Sequence, residues 1–196
     1  MAAALLLALS PLLLLVALAV RLGSPGEVLF RQRRIGKDGV PFTIWKFRTM
    51  FQEAPRSPLG SYCYADDPRI TAVGRFLRRT SLDELPQLWN VLRGDMSFVG
   101  PRPDLPHHVE RYSAAQRARL RVRPGITGWA QVNGRNTLSW EERIVLDLEY
   151  LDGWALSRDL RVLLRTAGVV LSRRGVSLPG RLTKEPQWER SPRAGR

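Results

Sequence analysis

AAALLLALSPLLLLVALAV, residues 2–20, is a nineteen-residue run interrupted only by Ser10 and Pro11 and closed by Arg21. No charged side chain occurs in residues 1–20. By length and composition this is membrane material. A cleaved secretory leader fits poorly, because no basic stretch precedes the run and the Arg-rich remainder does not look secreted. Two topologies stay open. Length allows a single spanning helix. Pro11 argues the other way: it removes an amide donor and leaves the carbonyl of Leu7 without its helical partner, in a medium where an unpaired polar group is expensive. The Ser10 hydroxyl is a local substitute donor, and a Ser-Pro break can turn the chain back as a re-entrant hairpin. In either topology the basic residues that follow keep the body of the chain on the cytoplasmic side.

Outward from this segment, 196 residues suffice for one sizeable core and are short for two. Lys and Arg total 31 against 18 Asp and Glu, a net charge of +13, and 28 of the 31 are Arg. Such a charge selects phosphate-bearing partners: nucleic acid, anionic lipid or nucleotide. With 44% apolar residues and six Trp, the chain is too hydrophobic to be a disordered basic tail. The single Cys63 excludes an intrachain disulfide and leaves too few thiols for a zinc cluster, which suits a reducing compartment.

The pattern divides the chain into a membrane anchor over 1–22, a mixed α/β and mostly helical globular unit over 23–179, and a flexible basic tail over 180–196. Turn signals fall at Gly36 to Gly39, Pro55 to Gly60, Gly100 to Pro106 and Pro124 to Gly128. Short strands are expected at Val28 to Phe30 and Phe42 to Phe47. Helices are expected at Ser81 to Leu92, Ala114 to Leu120, Ser139 to Leu151 and Leu156 to Leu171, with Ser139 and Glu142 forming a capping box. The last of these helices gathers Leu156, Leu160, Leu163, Leu164, Ala167, Val170 and Leu171 in one arc, with Arg158, Arg161 and Arg165 opposite. Either the leucine arc is a core face with solvated arginines behind it, or the helix lies in a membrane headgroup plane.

TSLDELPQLWNVLRGD, residues 80–95, carries the adjacent acids Asp83 and Glu84 shortly after Arg75, Arg78 and Arg79. Ser81 with Glu84 matches a capping box, and acids suit a helix's first turn. The same acids among arginines also suit a carboxylate nucleophile or metal ligand beside phosphates. GPRP, residues 100–103, sets Arg102 between two prolines that restrict the backbone and present its guanidinium at low entropic cost. RPGITGWAQVNGRN, residues 123–136, suits close backbone approach and base or sugar contact. His107 and His108 have no ligand-like spacing and read as surface residues.

RQRRIGKDGVPFTIWKFRTM, FLRRTSLDELPQLWNVLRGDMSFVGPRP and RPGITGWAQVNGRN, behind a Ser-Pro-broken apolar segment, resemble the bacterial monotopic phosphoglycosyl transferases, or bacterial sugar transferases. The likeness runs from about Leu5 to Gly180, closest to the small forms that consist of little beyond the catalytic domain. It implies transfer of a sugar 1-phosphate from a UDP-sugar to polyprenol (undecaprenyl) phosphate, release of UMP and use of Mg2+. It also implies an inner-membrane location with the catalytic domain on the cytoplasmic face, among membrane lipids and without nucleic acid. Carried over residue by residue, Asp83 is the nucleophile and a metal ligand, and Glu84 its partner in the dyad. Arg78 and Arg102 lie near the phosphates, with Lys46 and Arg48 as further candidates, and Ser10 and Pro11 match the helix-breaking pair of a re-entrant anchor.

Family members usually begin with a Lys/Arg- and aromatic-containing stretch ahead of the hairpin, whereas here nine residues precede Ser10. That is about 14 Å of helix, a short incoming arm. Of the rival classes, a nucleic-acid-binding protein leaves the apolar start unexplained and shows no known motif. A non-catalytic membrane scaffold does not require the Asp-Glu pair, GPRP and the Gly-rich loop together.

Overall fold

The computed structural model describes residues 1–52 and 67–172. Cys63, the turn signals over 55–60 and the tail expected over 180–196 lie outside the described residues. Within them the fold is mixed α/β and mostly helical, as anticipated.

Helix α1 spans Ala2–Gly23 and runs through Pro11 without a non-helical residue, so the expected break is not an interruption of the helical backbone. The Ser10 hydroxyl donates to the Leu7 carbonyl at 2.8 Å, the acceptor that Pro11 leaves without an amide, so the defect is mended locally. Val16 and Val20 pack with Phe47 and Leu77 in one apolar cluster, which Leu12, Leu13 and Ala17 extend. Ala2, at the other end of the helix, is only 8% exposed, and α1 lies against α2 (Ala72–Thr80), α3 (Gln87–Arg93) and β2 (Pro41–Phe47). Leu7, Leu14, Leu15, Leu18 and Leu22 are exposed.

Strands β1 (Leu29–Ile35) and β2 pair antiparallel, from Leu29 opposite Phe47 to Ile35 opposite Pro41. Both extend beyond the short runs expected. Asp38 and Gly39 take positive φ in the connecting turn. Helix α2 follows, capped by Thr71, whose hydroxyl accepts from the Gly74 amide at 2.9 Å. A Cβ on Gly74 would sit 2.0 Å from the Thr49 carbonyl oxygen, so only glycine permits α2 to approach the β2 exit this closely.

The helix expected over Ser81 to Leu92 is two elements. Ser81 adopts a left-handed conformation (φ 58°) and closes α2, Leu82–Glu84 form one 3-10 turn, and α3 begins after Pro86. The Ser81 side chain makes no cap, which overturns the capping box expected with Glu84. Pro86 supplies no amide to continue the turn, so the acids sit on a separate short element. Strand β3 (Ser97–Val99) then pairs in parallel with β4 (Gly125–Thr127). A Cβ on Gly125 would lie 2.2 Å from the Gly100 nitrogen, so GPRP and the Gly-rich loop are pressed together at glycines.

The remaining helices are α4 (Pro106–Val109), α5 (Ala114–Arg117), α6 (Trp129–Val132), α7 (Trp140–Asp152) and α8 (Leu156–Ser172). A 3-10 turn over Ala118–Arg121 continues α5, and the Ser139–Glu142 capping box opens α7 as expected. Helix α8 does not bury its leucine arc as a core face. Val162 is fully buried, Thr166 pairs with Thr127 at 2.7 Å, and Arg158 and Arg165 both lie over the Trp129 ring at 5.4 Å. The leucine arc faces away: Leu156, Leu160, Leu163 and Leu164 are all exposed, Leu164 at 77%. The apolar face is therefore not the core face, and most of it is left uncovered on the outside.

Candidate functional site

Three elements converge on the short turn that carries the acidic pair. The 3-10 turn supplies Asp83 and Glu84, β2 supplies Lys46, α2 supplies Arg78, and the loop after β3 supplies Arg102. Lys46 Nζ donates to Glu84 Oε1 at 2.7 Å. The Arg102 guanidinium forks onto the same carboxylate, at 2.7 Å to Oε1 and 3.3 Å to Oε2. Glu84 is thus engaged on both oxygens, and although burial works against its charge, Arg102 and Lys46 hold it well below the usual carboxylate range. Burial pulls Lys46 down and Glu84 pulls it back up, with a net lowering.

Asp83 differs. Its residue is 9% exposed, and its carboxylate makes no side-chain hydrogen bond or ion pair among the described residues. Burial, and then the neighbouring Glu84 charge, push it up to about 6, against the pull of Lys46, Arg78 and Arg102. It is an ionised, weakly solvated and unengaged carboxylate at neutral pH, at the wall of a cavity of about 1190 Å³ that Lys46, Arg78, Glu84 and Arg102 also line. Arg78 Nε donates to Thr49 Oγ1 at 2.8 Å, which aims the side chain along this wall.

Arg48 also borders the cavity but points elsewhere: its terminal nitrogens donate to the carbonyls of Ser24 (2.7 Å) and Pro25, just past the end of α1. The guanidinium therefore ties the helix exit to β2 rather than joining the acids. Ser10 and Pro11 sit in the middle of α1 and take no part in the site.

Two participants escaped the sequence reading. Arg135, inside the flagged Gly-rich loop, lies on the cavity wall with a positive φ of 50°; its Nη2 donates to Ser81 Oγ at 2.9 Å while Nη1 is buried without a partner. Its nearness to the acids was invisible because 54 residues separate it from Ser81. The other is Asp104. Its carboxylate takes the Trp140 indole N–H at 2.8 Å, the Tyr112 hydroxyl at 3.0 Å and His108 Nδ1 at 2.7 Å. Burial opposes its charge, and the His108 bond and Arg119 outweigh that, holding it far below the carboxylate range. His108 is buried, which corrects its reading as a surface residue: the bond to Asp104 satisfies its ring within the fold.

No group of three or more His, Cys, Asp or Glu side chains gathers into a metal cage among the described residues. A magnesium ion shared between one carboxylate and substrate phosphate oxygens needs no such cage, and the unengaged Asp83 carboxylate fits that donor set.

A family model described as bacterial sugar transferase matches residues 1–173. Among curated relatives, the uncharacterized sugar transferase EpsL of Bacillus subtilis is 46% identical over 94% of this chain and 90% of its own length. UDP-glucose:undecaprenyl-phosphate glucose-1-phosphate transferases of Caulobacter vibrioides and Escherichia coli are 50% and 48% identical, over 87% and 85% of this chain. The match spans 67% of the Caulobacter protein but 37% of the Escherichia coli one.

Proposed function

The chain belongs to the bacterial sugar transferase family, and from that premise we propose that it moves a sugar 1-phosphate from a UDP-sugar to undecaprenyl phosphate by way of an aspartyl intermediate. UDP-glucose, named for two relatives, is the first donor to test. The observation that carries the reading is the contrast within the dyad: Glu84 is engaged by Lys46 and Arg102, while Asp83 is buried, ionised and unengaged at the cavity wall.

In this mechanism an Asp83 carboxylate oxygen attacks the sugar-bearing phosphorus. The bond from that phosphorus to the bridging oxygen breaks, and UMP leaves with the electron pair. An oxygen of undecaprenyl phosphate then attacks the same phosphorus and displaces the Asp83 carboxylate, giving the lipid diphosphosugar and restoring the enzyme. Glu84 holds Lys46 and Arg102 at fixed positions, and their cations, with Arg78, stabilise the charge that gathers on the phosphoryl oxygens. Asp83 would hold magnesium, which when bound would neutralise diphosphate charge.

For the membrane, we infer that α1 enters and leaves on the cytoplasmic face of the inner membrane and that the leucine face of α8 rests in the headgroup layer. Ser10 and Pro11, which match the helix-breaking pair of the family's re-entrant anchor, support the first point. The outward leucines of α8 support the second.

The test is to mix protein, magnesium and radiolabelled UDP-glucose, with a panel of other UDP-sugars in parallel, without lipid acceptor. UMP should be released at up to about one equivalent, with label on the protein that hydroxylamine removes, as an acyl phosphate requires. The Asp83→Asn protein should carry none. Normal turnover by wild type without any labelled species would favour direct attack by the lipid phosphate.

A further inference from the structure

Four consecutive carbonyls of the GPRP loop each accept a hydrogen bond. Pro101 O takes the Gly125 amide (2.9 Å) and Asp104 O the Ile35 amide (3.1 Å), both backbone pairings. Between them, Arg102 O takes Arg119 Nη2 at 2.9 Å and Pro103 O takes Arg34 Nη1 at 3.3 Å. The loop that presents the Arg102 guanidinium to Glu84 is therefore held from behind by two other arginines, Arg119 on Arg102 itself and Arg34 on Pro103.

Arg119 is the more deeply rooted of the two. It is 6% exposed, and besides the Arg102 carbonyl it donates to the Asp147 carboxylate and the Tyr112 hydroxyl, while the Asp104 carboxylate stands 3.7 Å from Nη1. Tyr112 in turn donates to Asp104, and Trp140 and His108 bond to the same carboxylate. A buried polar network built from α4, α5 with its 3-10 extension, and α7 thus terminates on the backbone of Arg102. Nothing in it touches Asp83 or Glu84 directly. An apolar interior would stabilise these helices at least as well as buried charge, because desolvating ions is costly. What the network adds is a fixed place for one loop carbonyl.

We propose that Arg119 is a positioning residue for phosphoryl transfer: through the Arg102 carbonyl it sets the fork between Arg102 and Glu84, with Asp147, Tyr112 and Asp104 orienting Arg119 itself. The proposal rests on the phosphotransferase reading. It requires the planar, multiply donating guanidinium, since a lysine ammonium cannot span Tyr112, Asp147 and the carbonyl at once.

A double-mutant cycle tests it, with hydrogen exchange as a readout independent of turnover. Arg119→Lys should lower kcat/KM by about tenfold or more in the wild-type background, yet by less than about threefold in an Arg102→Lys background, where the guanidinium fork is already gone. Tyr112→Phe, a milder change for the case in which Arg119→Lys does not fold, should show the same non-additivity with a smaller loss. Amides in the peptide covering 98–105 should exchange faster in both variants, and those of α8 should not. Equal losses in both backgrounds, or unchanged exchange over 98–105, would overturn the proposal. Should wild type release UMP from no UDP-sugar, the phosphotransferase reading itself fails, and the exchange measurement alone decides whether Arg119 holds the loop.

Discussion

Replacing Asp83 with Asn removes a carboxylate that the fold keeps buried without engaging it, and the consequences for activity and stability have opposite signs. Its folded-state value of about 6 lies above the ordinary aspartate value, so the folded protein binds this proton more tightly than the unfolded chain. Asp83 therefore contributes its stability at low pH and loses it as pH rises from about 4 through about 6. At pH 7.5 the Asn variant should melt at a temperature equal to or above that of wild type, and the gap should close by about pH 4; thermal melts across that range check it. Activity runs the other way: if Asp83 attacks phosphorus as proposed, kcat/KM should be flat above about pH 6 and fall about tenfold per unit below it, as that carboxylate is protonated. At Arg102, substitution by Lys keeps the charge and loses the two-pronged contact with Glu84. Turnover should drop by well over tenfold, about 1.4 kcal/mol or more of transition-state stabilisation, and unchanged kinetics would remove Arg102 from the site.

At the scale of one element, α8 shows why periodicity could find an amphipathic helix without saying which face is covered. Its buried face, through Val162 and Thr166, falls between the arginine and leucine sides, because two arginines spend their guanidinium groups on Trp129 and so become packing residues. Leu164→Glu should leave the melting temperature unchanged, as the side chain touches little of the body. It should weaken binding to anionic vesicles by about tenfold or more, in line with the ~1.5–3 kcal/mol for burying a leucine; co-sedimentation measures this. The acidic turn teaches a related lesson. Its residues suit a helix start, but Ser81 closes the preceding helix and Pro86 delays the next, leaving Asp83 and Glu84 on a single turn that presents them to the cavity.

For the molecule as a whole, the two ends of α1 locate the membrane. With Cys63 replaced by Ser, Ala3→Cys should react with an impermeant maleimide only after cells are permeabilised; labelling from the periplasm of intact cells would establish a spanning helix instead. Several properties follow from the order of residues alone, because they depend on local composition or on contiguous motifs: the apolar first helix, the strand β2 and the turn before it, the capped α7, the Asp-Glu pair and the GPRP turn. Other properties needed the folded chain. The sharing of Glu84 between Lys46 and Arg102 joins segments 38 and 18 residues apart, and the network behind Arg102 joins Arg34, Asp104, Arg119 and Asp147. Burial moved His108 from the surface to the interior and turned Arg48 toward the end of α1. Sequence determined which chemical groups this protein has, because identity and spacing are local; only tertiary structure decided which carboxylate stays unengaged, because desolvation and pairing depend on neighbours that the chain brings together from a distance.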